Sequence, residues 1–524
     1  MKEMYSDFRT LTDGFSVRYA QHTAFKLKHG KGALVSYENK TYAAFSADIR
    51  HLATVITQNG WHKETIAVIG KNCYEWMVAY FAVLYAGGTV TPFDKALTET
   101  ELARQCDTAK AKIAFCGEEY AGFFESCNIY TIPFKSKKWE DAVSSDNSPK
   151  DFSYADIDPN RASILLFTSG TTAAAKVVML SQKNILENAY AMTIHEKFYA
   201  DDVSAALLPF HHAFGMTQTV LFLSLGMCTV FCEGLRIARC MKEYGVSVLV
   251  IVPRIADEIK HAAINRMQSD GLLRKFNTAM KVSRFFRHMG IDLRRIFSKK
   301  LIDAMGGKLR LIIVGAAPSN PETLKWFNDL GILTVQGYGL TETAPTISAE
   351  SHKFRRSGSV GKALPGLEIK IDNPGQDGIG EIAVCGKNVM LGYMNNEEAN
   401  KAVFKNGYFL TGDMGYLDRD GYLFITGRKK NVIVLQNGKN VFPEEIEELI
   451  NRADFVKECV VREKDGFICA DIVYKPNFTK DAAELAAQPF IEKLNTTLPS
   501  FKKIAFYNLT DKEFEKTSTL KIKR

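Results

Sequence analysis

TIAVIGKNCYEWMVAYFAVLYAGG, residues 65–88, joins a short β-branched run to a helical segment with almost no polar face, closed by Gly87 and Gly88. A helix apolar on every side has to be covered on every side, so the run before it reads as a strand of a sheet packed on that helix. Further apolar runs, KIAFC (112–116), VSVLVIVP (246–253) and LRLIIVGAAP (309–318), alternate with helical patterns up to about residue 330. That alternation predicts parallel sheets clad in helices. From about residue 357 the texture changes to strands between glycine turns, GLEIKID, GEIAVCG and GYLFITG, as in an antiparallel or barrel-like unit. After Arg428 a small α+β pattern follows: strand NVIVL, helix PEEIEELI with Pro443 in its first turn, strands around 456–474, a helix near 481–496 and a last strand near 503–509. The expected fold class is α/β. A large N-terminal domain (1–428) holds parallel helix-covered sheets plus a distorted β-barrel, and a small mobile α+β C-terminal domain (429–524) follows. Neither a repeat nor a low-complexity linker separates them, which makes 428–431 a compact hinge.

With 46% hydrophobic and 24% charged positions in 524 residues, disorder does not describe the chain. Lys and Arg outnumber Asp and Glu by 67 to 59, and the stretch from Lys275 to Arg310 nets the same +8 as the whole chain. A generally basic, nucleic-acid-coating protein is therefore disfavoured, and no nucleic-acid partner is expected. Ten cysteines without a CxxC pair, the nearest cluster being Cys228, Cys232 and Cys240, read as buried thiols in a reducing compartment. The N-terminal MKEMYSDFRTLTDGF has no apolar signal core, and no apolar run reaches the ~20 residues of a membrane span. A soluble cytoplasmic protein is expected.

Four segments carry chemistry. In ILLFTSGTTAAAKVVMLSQKN (164–184) an apolar strand enters a loop where Thr168, Ser169, Gly170, Thr171 and Thr172 offer the clustered N–H groups and hydroxyls that phosphate oxygens need. It is not a Walker loop, and alone it is most often a turn. In VQGYGLTETAP (335–345) two glycines flank Tyr338, whose ring can lie on a purine, and Glu342 follows Thr341. One carboxylate beside a phosphate loop suits a Mg²⁺ ion shared with a nucleotide; otherwise Glu342 simply opens a helical turn. In GYFLTGDMGYLDRDGYLFITGRKK (407–430) Asp413 is a lone carboxylate suited to ribose hydroxyls, while Asp418, Asp420 and Gly421 read as a hairpin turn rather than a calcium loop. The terminal FEKTSTLKIKR reads by position alone as a solvated tail.

In this order the four blocks resemble the acyl-adenylate-forming (AMP-binding) superfamily, which includes acyl-CoA synthetases, firefly-type luciferases and the adenylation domains of peptide synthetases. The resemblance runs from KTYAAFSADIRHLA and YEWMVAYFAVLYAGGTVTPFD to the last lysines, and GKNVFPEEIE and FEKTSTLKIKR look most like bacterial long-chain fatty acid–CoA ligases. It implies that an acid, most simply a medium- or long-chain fatty acid, is converted by ATP to acyl-AMP and then by CoA to acyl-CoA, with Mg²⁺ as cofactor. By the same resemblance Thr168 to Thr172 and Lys176 hold the β- and γ-phosphates, Glu342 holds Mg²⁺, and Thr341 touches the α-phosphate. Gly315, Ala316, Ala317, Gln336, Gly337, Tyr338 and Gly339 frame the adenine, and Asp413 and Arg428 hold the ribose. Lys521 is the catalytic lysine, Lys430 the hinge, and Gly438 and Lys439 line the CoA tunnel.

The acyl pocket falls on LLPFHHAFGM (207–216), with His212, Ala213 and Phe214 joined by Gly337. Amino-acid-activating relatives place an aspartate where Ala213 stands, so a neutral acyl tail is expected here. The chain departs from the family pattern at Ala173, Val177, Gln182 and Leu520. Alternatives are a ligase that loads an acyl carrier protein, a luciferase-like monooxygenase, and a non-catalytic nucleotide-sensing or scaffold relative. The basic stretch 275–310 reads as the solvated face of helices with Phe285 and Phe286 packed inward. The sharper alternative is an electrostatic patch for CoA, an acidic carrier protein or an anionic membrane surface, which would make the protein peripheral to a membrane.

Overall fold

The segment 65–94 forms what its pattern predicts. In the computed structural model Thr65–Ile69 is a strand, Tyr74–Tyr85 a helix in which every residue but Glu75 is buried, and Thr89–Pro92 the parallel strand beside the first. The structure describes residues 4–30, 34–144, 154, 156–168, 176–232, 237–435, 439–464, 466–516 and 522. Gly87, at φ +78°, makes the reversal between helix and second strand, a conformation glycine adopts without penalty.

These strands belong to a seven-stranded sheet in the order 392–393, 177–181, 162–167, 89–92, 65–69, 111–116, 130–133. A nine-stranded sheet runs 362–363, 346–349, 333–339, 311–314, 248–251, 203–206, 228–231, 23–29, 36–41. Both are parallel inside; the nine-stranded sheet is antiparallel at both edges, as with Thr346–Ala349 against Leu333–Gly339, and the seven-stranded one at one edge only, where Val177–Ser181 lies against Ala162–Phe167. The Tyr74–Tyr85 helix lies in the largest apolar core, with Trp76, Tyr80 and Phe81 fully buried. Gln182, one of the departures, is buried too: its Oε1 accepts the Phe8 N–H at 2.8 Å and its Nε2 donates to the Leu84 carbonyl at 3.0 Å, tying the first helix to this core.

From Leu367 to Arg428 the pattern is antiparallel, as the glycine-punctuated texture predicts. Leu367–Asp372, Gly380–Gly386, Tyr408–Leu417 and Phe404–Lys405 form a five-stranded sheet with Leu423–Arg428 paired on Tyr408–Leu417. The smaller C-terminal domain follows, with the Pro443–Ile450 helix, strands Val456–Lys464, Phe467–Tyr474 and Ile504–Thr510 in one sheet, and the Lys480–Thr497 helix on its own core. None of the ten cysteines is in a disulfide, and among the described residues no helix is long and apolar enough to cross a membrane.

One expectation is corrected. Phe285, expected to pack inward, is 64% exposed, and Phe286 is only half-buried. Their helix, Leu273–His288, buries only Met280 and Ser283, so the packed face runs through those two positions and Phe285 lies off it.

Candidate active site

The loop expected to cradle phosphate leaves the Ala162–Phe167 strand and returns as its antiparallel neighbour Val177–Ser181. Thr168 closes its base, its N–H and Oγ1 donating to the Lys176 carbonyl at 3.0 and 3.3 Å. Ser169, Gly170, Thr171, Thr172 and Ala173 lie outside the described residues. Val177, where the family pattern has glycine, is a buried strand residue opposite Phe167, so its side chain is used in the core.

Beyond the loop, Lys176 Nζ lies 4.6 Å from the centre of the Tyr393 ring, and the Tyr393 hydroxyl donates to Glu342 Oε1 at 2.9 Å. Tyr393 reaches both because Gly392–Tyr393 adds as a short strand beside Val177–Ser181, with the Met394 N–H on the Val177 carbonyl at 2.9 Å. Burial first, then the Glu342 carboxylate, push the Tyr393 phenol far above its ordinary range, so it remains a donor at any physiological pH.

Glu342 sits in the 3₁₀ turn Thr341–Thr343 that follows the Leu333–Gly339 strand. The turn is fixed from several sides. The Leu340 N–H donates to the Pro345 carbonyl at 3.0 Å, Asn388 Nδ2 to the Thr343 carbonyl at 2.7 Å, and the Met390 N–H to the Glu342 carbonyl at 2.8 Å. The Gln182–His195 helix, which directly follows the strand leaving the phosphate loop, sends Asn184 to the Val389 carbonyl and Asn188 to the Thr346 carbonyl at 2.9 and 2.7 Å. The position of the Glu342 turn relative to the Gln182–His195 helix is thus set by buried amide contacts, which cost most when broken.

A second cluster forms around Asp413. The Asp418–Gly421 turn is the predicted hairpin turn: Asp418 Oδ1 accepts the N–H groups of Asp420 and Tyr422 at 3.0 and 2.9 Å, and Arg356 pairs with both aspartates. No cluster of metal-ligating residues occurs there among the described residues. The hairpin register places Asp413 directly opposite Arg428. Arg428 Nε meets Asp413 Oδ1 at 2.7 Å, and the Tyr338 hydroxyl donates to Asp413 Oδ2 at 2.6 Å. Burial, reinforced by Asp413, holds the Tyr338 phenol well above its ordinary range. Glu381 braces the same region, its Oε1 accepting the Gly412 N–H at 3.0 Å and its Oε2 pairing with Lys429 Nζ at 2.6 Å.

Residues from the adenine and acyl assignments also meet. A Cβ on Gly315 would lie 2.9 Å from Phe214 Cζ, so the absence of a side chain there lets the phenyl ring of Phe214 close on the loop. A Cβ on Gly339 would collide with the Pro345 carbonyl oxygen at 1.8 Å. Ala316 is held at φ +72° and is exposed beside Ala317, a strained position for a residue with a Cβ. Gln336 is buried with its side chain turned to the Ser359 carbonyl at 2.6 Å, and its N–H meets Glu350, whose carboxyl burial pushes up to about 7. His212 precedes the Ala213–Ser224 helix, with Ala213 buried at its start, and its ring centre lies 4.1 Å from that of His211, the planes tilted by 55°; His211 Nε2 lies 3.5 Å from Asp94 Oδ2.

The remaining assignments fall further along. Lys430 lies in the 3₁₀ turn Lys429–Asn431, and Lys439 Nζ sits 4.4 Å over the Phe501 ring within the C-terminal domain. Gly438 and Lys521 lie outside the described residues, as does Leu520. Tyr393, Glu381 and the His211–Asp94 pair are contributors that sequence reasoning did not single out. For Tyr393 the available signal was a Gly–Tyr pair after an apolar run, which says nothing of its partners.

The sequence profile of AMP-binding enzymes matches residues 19–394, and that of the AMP-binding enzyme C-terminal domain matches residues 430–524. A long-chain-fatty-acid–CoA ligase of Mycobacterium bovis is 26% identical over 447 residues, 79% of this chain and 73% of that protein. A 2-succinylbenzoate–CoA ligase of Bacillus cereus is 27% identical over 459 residues, 84% of this chain and 82% of that one. Among solved structures, ATP-bound MatB from Rhodopseudomonas palustris superposes with a TM-score of 0.78 at 25% identity, covering 99% of this chain and 97% of that one. The o-succinylbenzoate CoA synthetase of Bacillus subtilis with its acyl-adenylate intermediate gives 0.75 at 21% identity over 98% and 96% of the chains, a likeness of fold.

Proposed function

This chain belongs to the AMP-binding enzyme family, and from that premise we propose that it converts a carboxylic acid, a medium- or long-chain fatty acid, to acyl-AMP and then to acyl-CoA. The observation that carries the reading is the pair of linked clusters, Lys176–Tyr393–Glu342 beside the phosphate loop and Tyr338–Asp413–Arg428 on the Tyr408–Leu417 hairpin. We place the domain boundary between 428 and 429, directly after the second cluster.

In the first half-reaction two anions must meet, the carboxylate and the α-phosphate of ATP, so cationic groups and positioning are the catalysis. Thr168 to Thr172 and Lys176 bind the β- and γ-phosphates, with the Tyr393 ring steering the Lys176 ammonium. Glu342 fits a Mg²⁺ site: Tyr393 occupies one carboxylate oxygen, and among the described residues no three potential ligands cluster, as suits an ion that keeps most of its waters and shares phosphate oxygens. When bound, the ion neutralises phosphate charge. Thr341 contacts the α-phosphate, Asp413 accepts from the ribose hydroxyls while Arg428 donates to them, and Gly315 to Ala317 with Gln336 to Gly339 frame the adenine. Lys521 bridges the substrate carboxylate and the α-phosphate.

In the second half-reaction the C-terminal domain turns at Lys430, withdrawing Lys521 and bringing Gly438 and Lys439 to the pantetheine path, so that one site serves twice. The acyl end is formed by His212, Ala213, Phe214 and Gly337. Ala213 offers no charge to an ammonium group, which favours an acid with a neutral tail.

Pyrophosphate release measured with CoA over straight-chain acids from butyrate to stearate, aryl acids and 2-succinylbenzoate tests the substrate class. Turnover is expected to peak among the medium or long chains, and a peak on an aryl acid or 2-succinylbenzoate would overturn that choice. Offering a phosphopantetheinyl carrier protein in place of CoA tests the acceptor. Tyr393→Phe should slow carboxylate-dependent ATP–pyrophosphate exchange about tenfold and raise the Mg²⁺ concentration needed for half-maximal rate, because a charge-assisted hydrogen bond to Glu342 is lost. An unchanged Mg²⁺ dependence would reduce Tyr393 to a packing residue.

A further inference from the structure

The parallel strands Val248–Ile251 and Leu311–Val314 are neighbours in the nine-stranded sheet. A crossover between such strands needs about a dozen residues and usually one helix. This one runs from 252 to 310 and, after the Pro253–Ser269 helix, adds three more: Leu273–His288, Arg294–Phe297 and Lys299–Ala304. The additional helices are not required by the sheet, and they bury little.

Their outer surface combines two features. Val282, Phe285 and Met289 follow one another at helical spacing, and Phe285 and Met289 are 64% and 62% exposed. Beyond the end of that helix Ile291 is also exposed, and Ile296 is 68% exposed in the next short helix. The same helices carry Arg274, Lys275, Lys281, Lys299 and Lys300, all exposed and none in an ion pair with any described residue. The other arginines are occupied: Arg284 with Asp329, Arg294 with Asp292, and Arg295 with the carbonyls of Leu309 and Gly331.

We propose that this helical excursion is a docking surface for an anionic lipid bilayer, with Phe285, Met289 and Ile296 entering the headgroup–acyl boundary and the unpaired lysines meeting lipid phosphates. A bilayer fits better than an acidic protein on two counts. The apolar side chains stand out as a stripe on the surface of helices, as interfacial helices present them, and four of the five unpaired cations are lysines, which protein interfaces deplete. Among the described residues no helix could span the bilayer, so contact is interfacial. The proposal does not depend on which acid the active site takes.

Flotation of the full chain with phosphatidylcholine vesicles, with and without phosphatidylglycerol, tests it. Each basic residue near an anionic leaflet strengthens binding about fivefold, so the triple variant Lys275→Glu/Lys299→Glu/Lys300→Glu should lose about a hundredfold or more in affinity for the phosphatidylglycerol vesicles. Phe285→Ser/Met289→Ser should lose about tenfold through the apolar contact alone. Both sets lie on the surface, and an unchanged thermal midpoint verifies that each variant folds. Wild-type binding no stronger on anionic than on neutral vesicles overturns the proposal, as does binding that either variant retains within about twofold. Those are also the results expected if the surface serves an acidic protein instead.

Discussion

Lys521→Ala is expected to lower carboxylate-dependent ATP–pyrophosphate exchange by about 10²–10³-fold, the usual cost of removing one group aimed at developing transition-state charge. The same variant, supplied with acyl-AMP and CoA, should form thioester at close to the wild-type rate. The asymmetry follows from what each half-reaction needs. Adenylation brings two anions together, and a cation between them lowers that barrier directly. In thioester formation the thiol attacks an activated carbonyl while AMP leaves as a stable anion, and the proposed turn at Lys430 has by then withdrawn the lysine. Equal loss in both assays would mean that Lys521 is a structural residue, and the assignment would fall.

Asp413→Ala should have the second-largest effect. Asp413 is buried and accepts from both the Tyr338 hydroxyl and Arg428, so its removal disturbs two of the proposed nucleotide contacts at once. The Tyr338 hydroxyl loses its acceptor at a cost of about 1–3 kcal/mol, while Arg428, more exposed, can turn to water. We expect kcat/KM for ATP to fall by about 10²-fold, chiefly through KM, with the KM for the acid nearly unchanged. Asp413→Asn keeps the shape and one acceptor oxygen, and should recover about a tenth of wild-type efficiency. Calorimetric titration with AMP separates binding from chemistry: an unaltered AMP affinity in Asp413→Ala would remove Asp413 from the ribose site.

The sequence carried the architecture well because its signals were physical and local. Segment 65–88 has to be a covered helix after a strand, and the glycine turns after 357 have to separate short strands. The Asp413–Arg428 pair was legible only through the resemblance, since its contact depends on a hairpin register that one residue of slippage would abolish. Tyr393 was not legible. Its role rests on an edge strand two residues long pairing across the chain with the strand that leaves the phosphate loop. Phe285 was misread for a related reason: helical periodicity locates an apolar stripe but does not say whether anything covers it. Two departures from the family pattern lose their weight in the structure. Val177 and Gln182 are each committed to the core, so they report on packing rather than on catalysis. Ala173 and Leu520 fall outside the described residues.

Glu381 divides the proposed motion into a still side and a moving side. Its two oxygens hold the Gly412 N–H, next to Asp413, and the Lys429 ammonium, next to Arg428, so the chain stays anchored until one residue before Lys430. A swivel that begins at Lys430 therefore leaves both Asp413 and Arg428, the proposed ribose ligands, in place. The enzyme would keep its grip on the adenylate while exchanging the groups around the acyl carbonyl, and AMP would let go only after the thioester has formed, giving the cycle an order of departure built into one carboxylate.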